Sequence, residues 1–154
     1  MSNSGKVRRR APVPMDQCGA ALAAEILADR WTLLIIREAF YGVTRYDDIR
    51  ADIGIPRSVL TTRLKHLVAA GILERVPYQE AGTRTRHCYA LTGKGRDLGL
   101  IILALMEWGD TYLKDGVAAL AVTHSETGKP LQLGLVEDPA MAVPLSRVRI
   151  KPLV

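Results

Sequence analysis

Apolar residues recur along this chain first at helical and then at alternating spacing, and each change of period marks a change of element. "QCGAALAAEILA" is alanine-rich with Leu22, Ile26 and Leu27 at helical intervals, which predicts a first helix. Asp29 stands where it can cap the next segment. "RWTLLIIREAFYG" is apolar nearly all round, through Trp31, Leu33, Leu34, Ile35, Ile36 and Phe40, so a second helix buried on several sides is expected to end at Gly42. "TRYDDIRADIGI" reads as a short third helix stopping at Gly54, with Thr44 and Asp47 close to a capping box and Tyr46 and Ile49 inward. Pro56 suits the first turn of a fourth helix that runs to Ala70 and is closed by Gly71.

The period then shortens. "ILERVPY" and "RHCYALT" flank the turn-rich "QEAGTRT" and predict a two-stranded hairpin. From Thr92 a long helix is expected, carrying Leu98, Ile101, Ile102, Leu105, Trp108 and Tyr112 on one side and Leu100, Leu103 and Met106 on another. A helix apolar on two faces needs two partners, its own core and most simply a second copy of itself. After Gly116, "LQLGLV" and "SRVRIKPLV" are the β-prone pieces of a small appendage. The expected organisation is a disordered basic arm over 1–15, a helical and hairpin domain over 16–115 whose dimerisation helix spans about 93–115, and a small β-rich extension over 116–154.

Composition narrows the function classes. The chain has 154 residues, 48% of them hydrophobic and 24% charged, which suits one soluble globular domain. Its longest apolar run after the first third, "LIILALM", is far short of the ~20 residues a bilayer requires, and the basic N-terminus is followed by no apolar signal core. No membrane association and a cytoplasmic setting are therefore expected. Cys18 and Cys88 are too few for a disulfide framework. His66, His87 and His124 are scattered and no metal-ligand spacing, nucleophile elbow or phosphate loop occurs, so neither enzyme activity, metal nor cofactor is expected.

Charge is where the chain becomes informative. The formal charge is +5, yet its distribution matters more than its sum. "GIPRSVLTTRLKHLVAAGIL" contains no carboxylate, and neither does the stretch from Ala81 to Arg96. At ~100° per residue, Leu60, Leu64, Leu67 and Val68 form a buried stripe on the fourth helix, and Ser58, Thr61, Thr62 and Lys65 share the opposite face. Arg57 sits at its tip, with Arg63 and His66 on a flank. Short hydroxyls plus a cation suit close approach to base edges and phosphates, and a helix N-terminus favours phosphate. Duplex DNA carries a charge every ~1.7 Å, so a groove-reading helix is expected to lack acids. The ordinary alternative for this helix alone is a solvated amphipathic face. Its context, a preceding short helix and a following basic hairpin whose loop offers Arg84 and Arg86, has the order of a winged helix-turn-helix.

Residues 18–113 resemble the HxlR-type winged-helix transcriptional regulators, relatives of the MarR group. The resemblance rests on Cys18 thirteen positions before Trp31, on "RWTLLIIRE", on "RYDDIRADIGIPRSVLTTRLKHLVAAGIL", and on "YALTGKGRDL" followed by "LMEWGD". It implies a homodimer with paired terminal helices bound to an inverted-repeat operator. It also implies Arg57 to Ala70 as recognition helix, with Ser58, Thr61, Thr62, Arg63 and Lys65 as contact candidates, Thr44 and Arg45 at a phosphate, and Arg84 and Arg86 from the wing. Pro56 replaces the serine many relatives carry, and no cysteine follows Cys88, so a metal knuckle is not expected near His124.

Two switches are compatible with these residues. Cys18 holds the position of a sensing thiol in some relatives and lies near a helix N-terminus; its alternative is inert packing. Trp31, Phe40, Tyr41, Met106, Trp108 and Tyr112 form a candidate effector pocket or, more simply, core and interface. The fold expected is mainly α (α+β): a winged helix-turn-helix with a C-terminal dimerisation helix and a small β extension. The function expected is a dimeric, sequence-specific DNA-binding regulator, a repressor released by a small molecule or by thiol modification. The alternative is a winged-helix protein–protein module without DNA binding.

Overall fold

A computed structural model describes residues 11–153. The expected arm over 1–15 therefore lies mostly outside the described residues. The chain runs α1 (Gly19–Leu27), α2 (Arg30–Phe40), α3 (Tyr46–Ile53), α4 (Arg57–Ala69), β1 (Leu73–Tyr78), β2 (Arg86–Leu91), α5 (Gly93–Arg96), α6 (Gly99–Leu113), β3 (Leu120–His124) and β4 (Val148–Pro152). This is an α+β winged helix with a second small sheet. Among the described residues no helix is long and apolar enough to cross a membrane.

The core forms where the predicted stripes converge. Ile35 and Ile36 of α2, Ile49 of α3, Leu60, Leu64 and Leu67 of α4, Ile72 and Leu73 at the entry to the hairpin, and Ile102 of α6 are all buried. Asp29 caps α2 as expected, accepting from the Thr32 backbone N–H at 2.9 Å. Gly54 and Gly71 end α3 and α4 at φ of 66° and 71°, the left-handed region that glycine enters without a Cβ penalty.

β1 and β2 pair antiparallel from Leu73 opposite Leu91 to Tyr78 opposite Arg86. The backbone before α3 joins them: the Tyr89 N–H donates to the Thr44 carbonyl at 2.8 Å, and Arg45 bridges Cys88. That pairing holds Arg45 extended, so α3 starts at Tyr46 with Arg45 as its N-cap, and the anticipated Thr44 capping box is not used. Pro56 likewise stands one position outside α4, as its N-cap.

Two further expectations are corrected. The single long helix from Thr92 is a short turn, α5, followed by α6, with 3-10 hydrogen bonds from Leu98 to Gly95 and from Ile101 to Leu98 at the join. In the extension, "LQLGLV" is not a strand. The strand partner of β4 is β3, from Leu120 opposite Pro152 to His124 opposite Val148, whereas the 131–136 piece is held near its start by the Leu131 N–H to the Val122 carbonyl and a bridge between Pro130 and Thr123. Alternation in that piece finds no neighbour to pair with, and Leu135 is fully exposed.

One carboxyl is deeply buried. Glu38, 3% exposed, pairs with Arg37 and has the Asp52 carboxyl nearby. Burial pushes its pKa up; Arg37 opposes this, and Asp52 adds to it. A raised folded-state value means that this group favours the fold below the ordinary carboxylate range, and the advantage is lost as pH rises through the folded value. Glu38→Gln, which keeps a hydrogen-bonding amide without the charge, is expected to melt close to the parent in mild acid and increasingly above it toward neutral pH. Thermal melts across that range give the comparison; a constant difference at every pH would refute the assignment.

Candidate nucleic-acid interface

The helix-turn-helix is α3, the Gly54–Pro56 turn and α4. Its apolar side is fixed by Ile55, Leu60, Leu64 and Leu67, all buried. The opposite face therefore has no choice but to look outward, and Arg57, Ser58, Thr61, Thr62 and Lys65 are all exposed. Among the described residues Lys65 has no ion-pair partner.

Two of the hydroxyls are already engaged. Thr62 donates to the Ser58 carbonyl at 3.0 Å, and Thr61 donates to the Arg57 carbonyl at 3.0 Å. These i−4 bonds use each threonine's only proton, leaving its methyl group and oxygen lone pairs on the surface. The Tyr46 hydroxyl lies 2.8 Å from the Arg57 carbonyl and 3.0 Å from Thr61 Oγ1, tying the start of α3 to the first turn of α4. The Arg57 guanidinium lies 5.9 Å from the Tyr46 ring centroid. Tyr46, expected only as an inward apolar residue, is thus the clamp that orients the exposed face.

Arg63 is placed differently from its expected role. Its Nε and Nη2 donate to the two oxygens of Asp29 at 2.8 and 3.1 Å, so it braces α4 against the start of α2. Partial burial opposes ionisation of Asp29, but the Thr32 N–H, the Arg63 guanidinium and the Thr32 hydroxyl together hold its pKa below the ordinary value. A depressed folded-state value contributes stability above the unfolded pKa that is lost as pH falls through the folded one. Asp29→Ala removes both the cap and the brace, and is expected to cost about 1–3 kcal/mol at neutral pH, with a smaller cost in strong acid. Denaturant melts at the two pH values test it.

The wing places Arg84 in its exposed loop and Arg86 at the exposed start of β2, with Gly82 turning the loop at φ 77°. Arg45 is 2.8 Å from Glu80 and lies over the Tyr78 ring at 4.8 Å. Both charges of that pair are half-exposed, so it contributes little and yields readily to a competing anion. A cleft of about 360 Å³ separates the start of α3 from the wing. Arg45, Arg75, Arg86 and His87 line it, opposed by Asp47, Asp48 and Glu80. Arg75 and His87, 3.0 Å apart, were not among the expected site residues. The hairpin register, with Pro77 opposite His87, is the signal that could have joined them.

The remaining candidates separate. Ile101, Leu105, Trp108 and Tyr112 form an exposed stripe along α6, with the last two rings 5.5 Å apart. Ile102 and Leu98, expected in the same interface, instead belong to the protomer's own core, because a helix that packs on α2 must spend one face there. Of the expected pocket residues only Phe40 and Tyr41 line the large cavity of the fold. Trp31 packs at the core margin beneath Arg30, Met106 accepts a contact from the Tyr41 hydroxyl at 3.9 Å, and Trp108 and Tyr112 face outward. Cys18 is a half-buried free thiol at the N-cap of α1. No cluster of three or more potential metal ligands occurs among the described residues.

Known proteins share this arrangement. Rv3095 of Mycobacterium tuberculosis, an uncharacterised HTH-type transcriptional regulator, is 50% identical over 91 residues, 59% of this chain and 56% of that protein. The chain thus spans about half the length of its mycobacterial relatives. The solved structure of PA1607 superposes with a TM-score of 0.67 at 30% identity, covering 80% of this chain and 86% of that one. The redox regulator HypR in its oxidised form superposes with a TM-score of 0.54 at 26% identity, covering 61% and 96%. The model of the HxlR-like helix-turn-helix matches residues 26–116, which take in the clamped pair α3–α4, the wing and α6, and the chain belongs to that family.

Proposed function

We propose that the protein is a homodimeric transcriptional regulator that binds an inverted-repeat operator, with α4 of each protomer in a major groove. The observation that carries this reading is the acid-free, exposed face Ser58–Thr61–Thr62–Lys65, oriented by the Tyr46 clamp. Arg57 and the N-terminus of α4 meet the phosphate backbone, Arg45 exchanges Glu80 for a phosphate, and Arg84 and Arg86 follow the flanking backbone or minor groove. The exposed stripe on α6 supplies the twofold contact. The regulator acts as a repressor, released by a small molecule or by modification of the Cys18 thiol; HypR, a redox regulator of the same fold, supports the thiol route.

The reading is tested by binding to the chain's own upstream region. Lys65→Ala should weaken every duplex by a similar factor and lower the salt slope by about one. Ser58→Ala and Thr62→Ala should instead change base preference at one position of each half-site. Equal affinity for the upstream region and for random duplex at moderate ionic strength would overturn it.

A further inference from the structure

The C-terminal extension is seated on the helical core by a specific contact. Leu145 reaches the first residue of α6, where a Cβ on Gly99 would stand 3.2 Å from both Leu145 Cδ atoms and 3.1 Å from Phe40 Cε1. A side chain there would oblige Leu145 and Phe40 to shift by a few tenths of an ångström, so the glycine favours the close approach. Away from it the β3–β4 sheet stands off the core and leaves a cavity of about 1030 Å³.

Its walls come from both layers. Phe40 and Tyr41 at the end of α2, Leu91 at the end of β2, and Ile102 and Leu103 of α6 face Leu120, Leu145, Val148 and Ile150 of the extension. The residues of the exposed α6 stripe are absent from the lining, so the cavity belongs to a different face from the proposed dimer contact. Charge at the margin is unbalanced: Arg96 and Arg149 stand against the single carboxylate Asp97. Arg96 gives one donor to the Leu91 carbonyl at 3.0 Å, while Arg149 has no ion-pair partner among the described residues.

We infer that this cavity binds a small amphipathic organic anion, with its apolar body between the sheet and α6 and its one carboxylate or sulfonate at Arg149 and Arg96. The volume suits a small-molecule site, and apolar walls with few convergent polar groups are what such sites use. The lining also joins the elements that link reading head to α6, so an occupant sets the angle between them. That coupling, unlike the binding itself, rests on the DNA-binding reading above.

The probes are 1-anilinonaphthalene-8-sulfonate, whose fluorescence rises in apolar sites, and decanoate as its competitor, with decanol as the uncharged control. Decanoate should displace the dye from the wild-type protein. Leu120→Trp, which sets a larger ring among the lining residues, should weaken dye binding by about tenfold or more, and Arg149→Glu should weaken decanoate by about fivefold while sparing decanol. Leu135→Asp, on exposed apolar surface outside the cavity, should change nothing. Dye binding that survives in a folded Leu120→Trp variant, or disappears in Leu135→Asp, overturns the site. Should Leu120→Trp not fold, wild-type crystals with a brominated decanoate decide: bromine against Phe40 and Ile150 upholds the site, and bromine elsewhere or nowhere refutes it. Decanoate that binds there without altering operator affinity refutes the coupling alone, whereas absence of any operator preference refutes the DNA-binding reading and leaves the cavity result standing.

Discussion

Leu105→Glu is expected to leave the protein monomeric and to reduce operator affinity by about two orders of magnitude or more. Leu105 lies at the middle of the exposed apolar stripe, between Ile101 and Trp108, and is 47% exposed in the protomer. A carboxylate there costs the isolated protomer little, within about 0.5 kcal/mol, because it enters no core contact. In a twofold interface the same change counts twice, placing two like charges against each other and against the partner's apolar face. Operator binding falls with it, since each half-site is then gripped by an independent monomer rather than by a pair whose second contact is intramolecular. Sedimentation velocity and gel shift on the same preparation give the two readouts. A variant that stays dimeric removes α6 as the interface; one that turns monomeric yet keeps full operator affinity removes the inverted-repeat reading.

Gly95→Ala is expected to cost about 3 kcal/mol or more, or to prevent folding, although it adds only one methyl group, at a buried position of α5. A Cβ at Gly95 would lie 2.1 Å from the Ile72 carbonyl oxygen and 3.1 Å from both the Ile72 carbonyl carbon and Leu91 Cδ2. Backbone cannot yield as a side-chain tip can. The Ile72 carbonyl is also the acceptor for the Thr92 N–H at 3.0 Å, and the Thr92 hydroxyl reaches the Gly71 carbonyl at 2.6 Å. Lys94 caps the Ala70 carbonyl at 2.7 Å. Together these bonds anchor α5 across the end of α4 and the entry to the wing, so a displaced α5 disturbs both. Chemical denaturation measures the loss, and Lys94→Ala, which removes a single exposed bond, should show a much smaller one.

These two positions show how unevenly structure is legible in the chain. Leu105 was visible at once, because helical periodicity is a local property and the stripe needed only the 3.6-residue repeat. Gly95 stands within "YALTGKGRDL" with no local reason to be glycine, since the group that forbids a side chain there, the Ile72 carbonyl, is remote in the sequence. Arg63 misled for the same reason. On a helical wheel it flanks the polar face, but its partner Asp29 is 34 positions away and only the packing of α2 on α4 joins them. The extension misled differently: "LQLGLV" alternates better than "LAVTH", yet a strand exists only when another edge accepts its hydrogen bonds, and β4 pairs with the latter.

From the sequence by itself came the first four helices and the glycine stops of α3 and α4, the Asp29 cap, the hairpin, the buried leucine stripe and the carboxylate-free face opposite it. All of these depend on a residue and its neighbours within a turn or two, where backbone geometry is stereotyped. The tertiary structure alone decided which cations remain available, which apolar residues of α6 are spent on the protomer's core, and where the second sheet leaves a cavity. Those outcomes depend on which remote surfaces meet, because an ion pair, a close backbone approach or a space between two layers has no existence until both sides are in place.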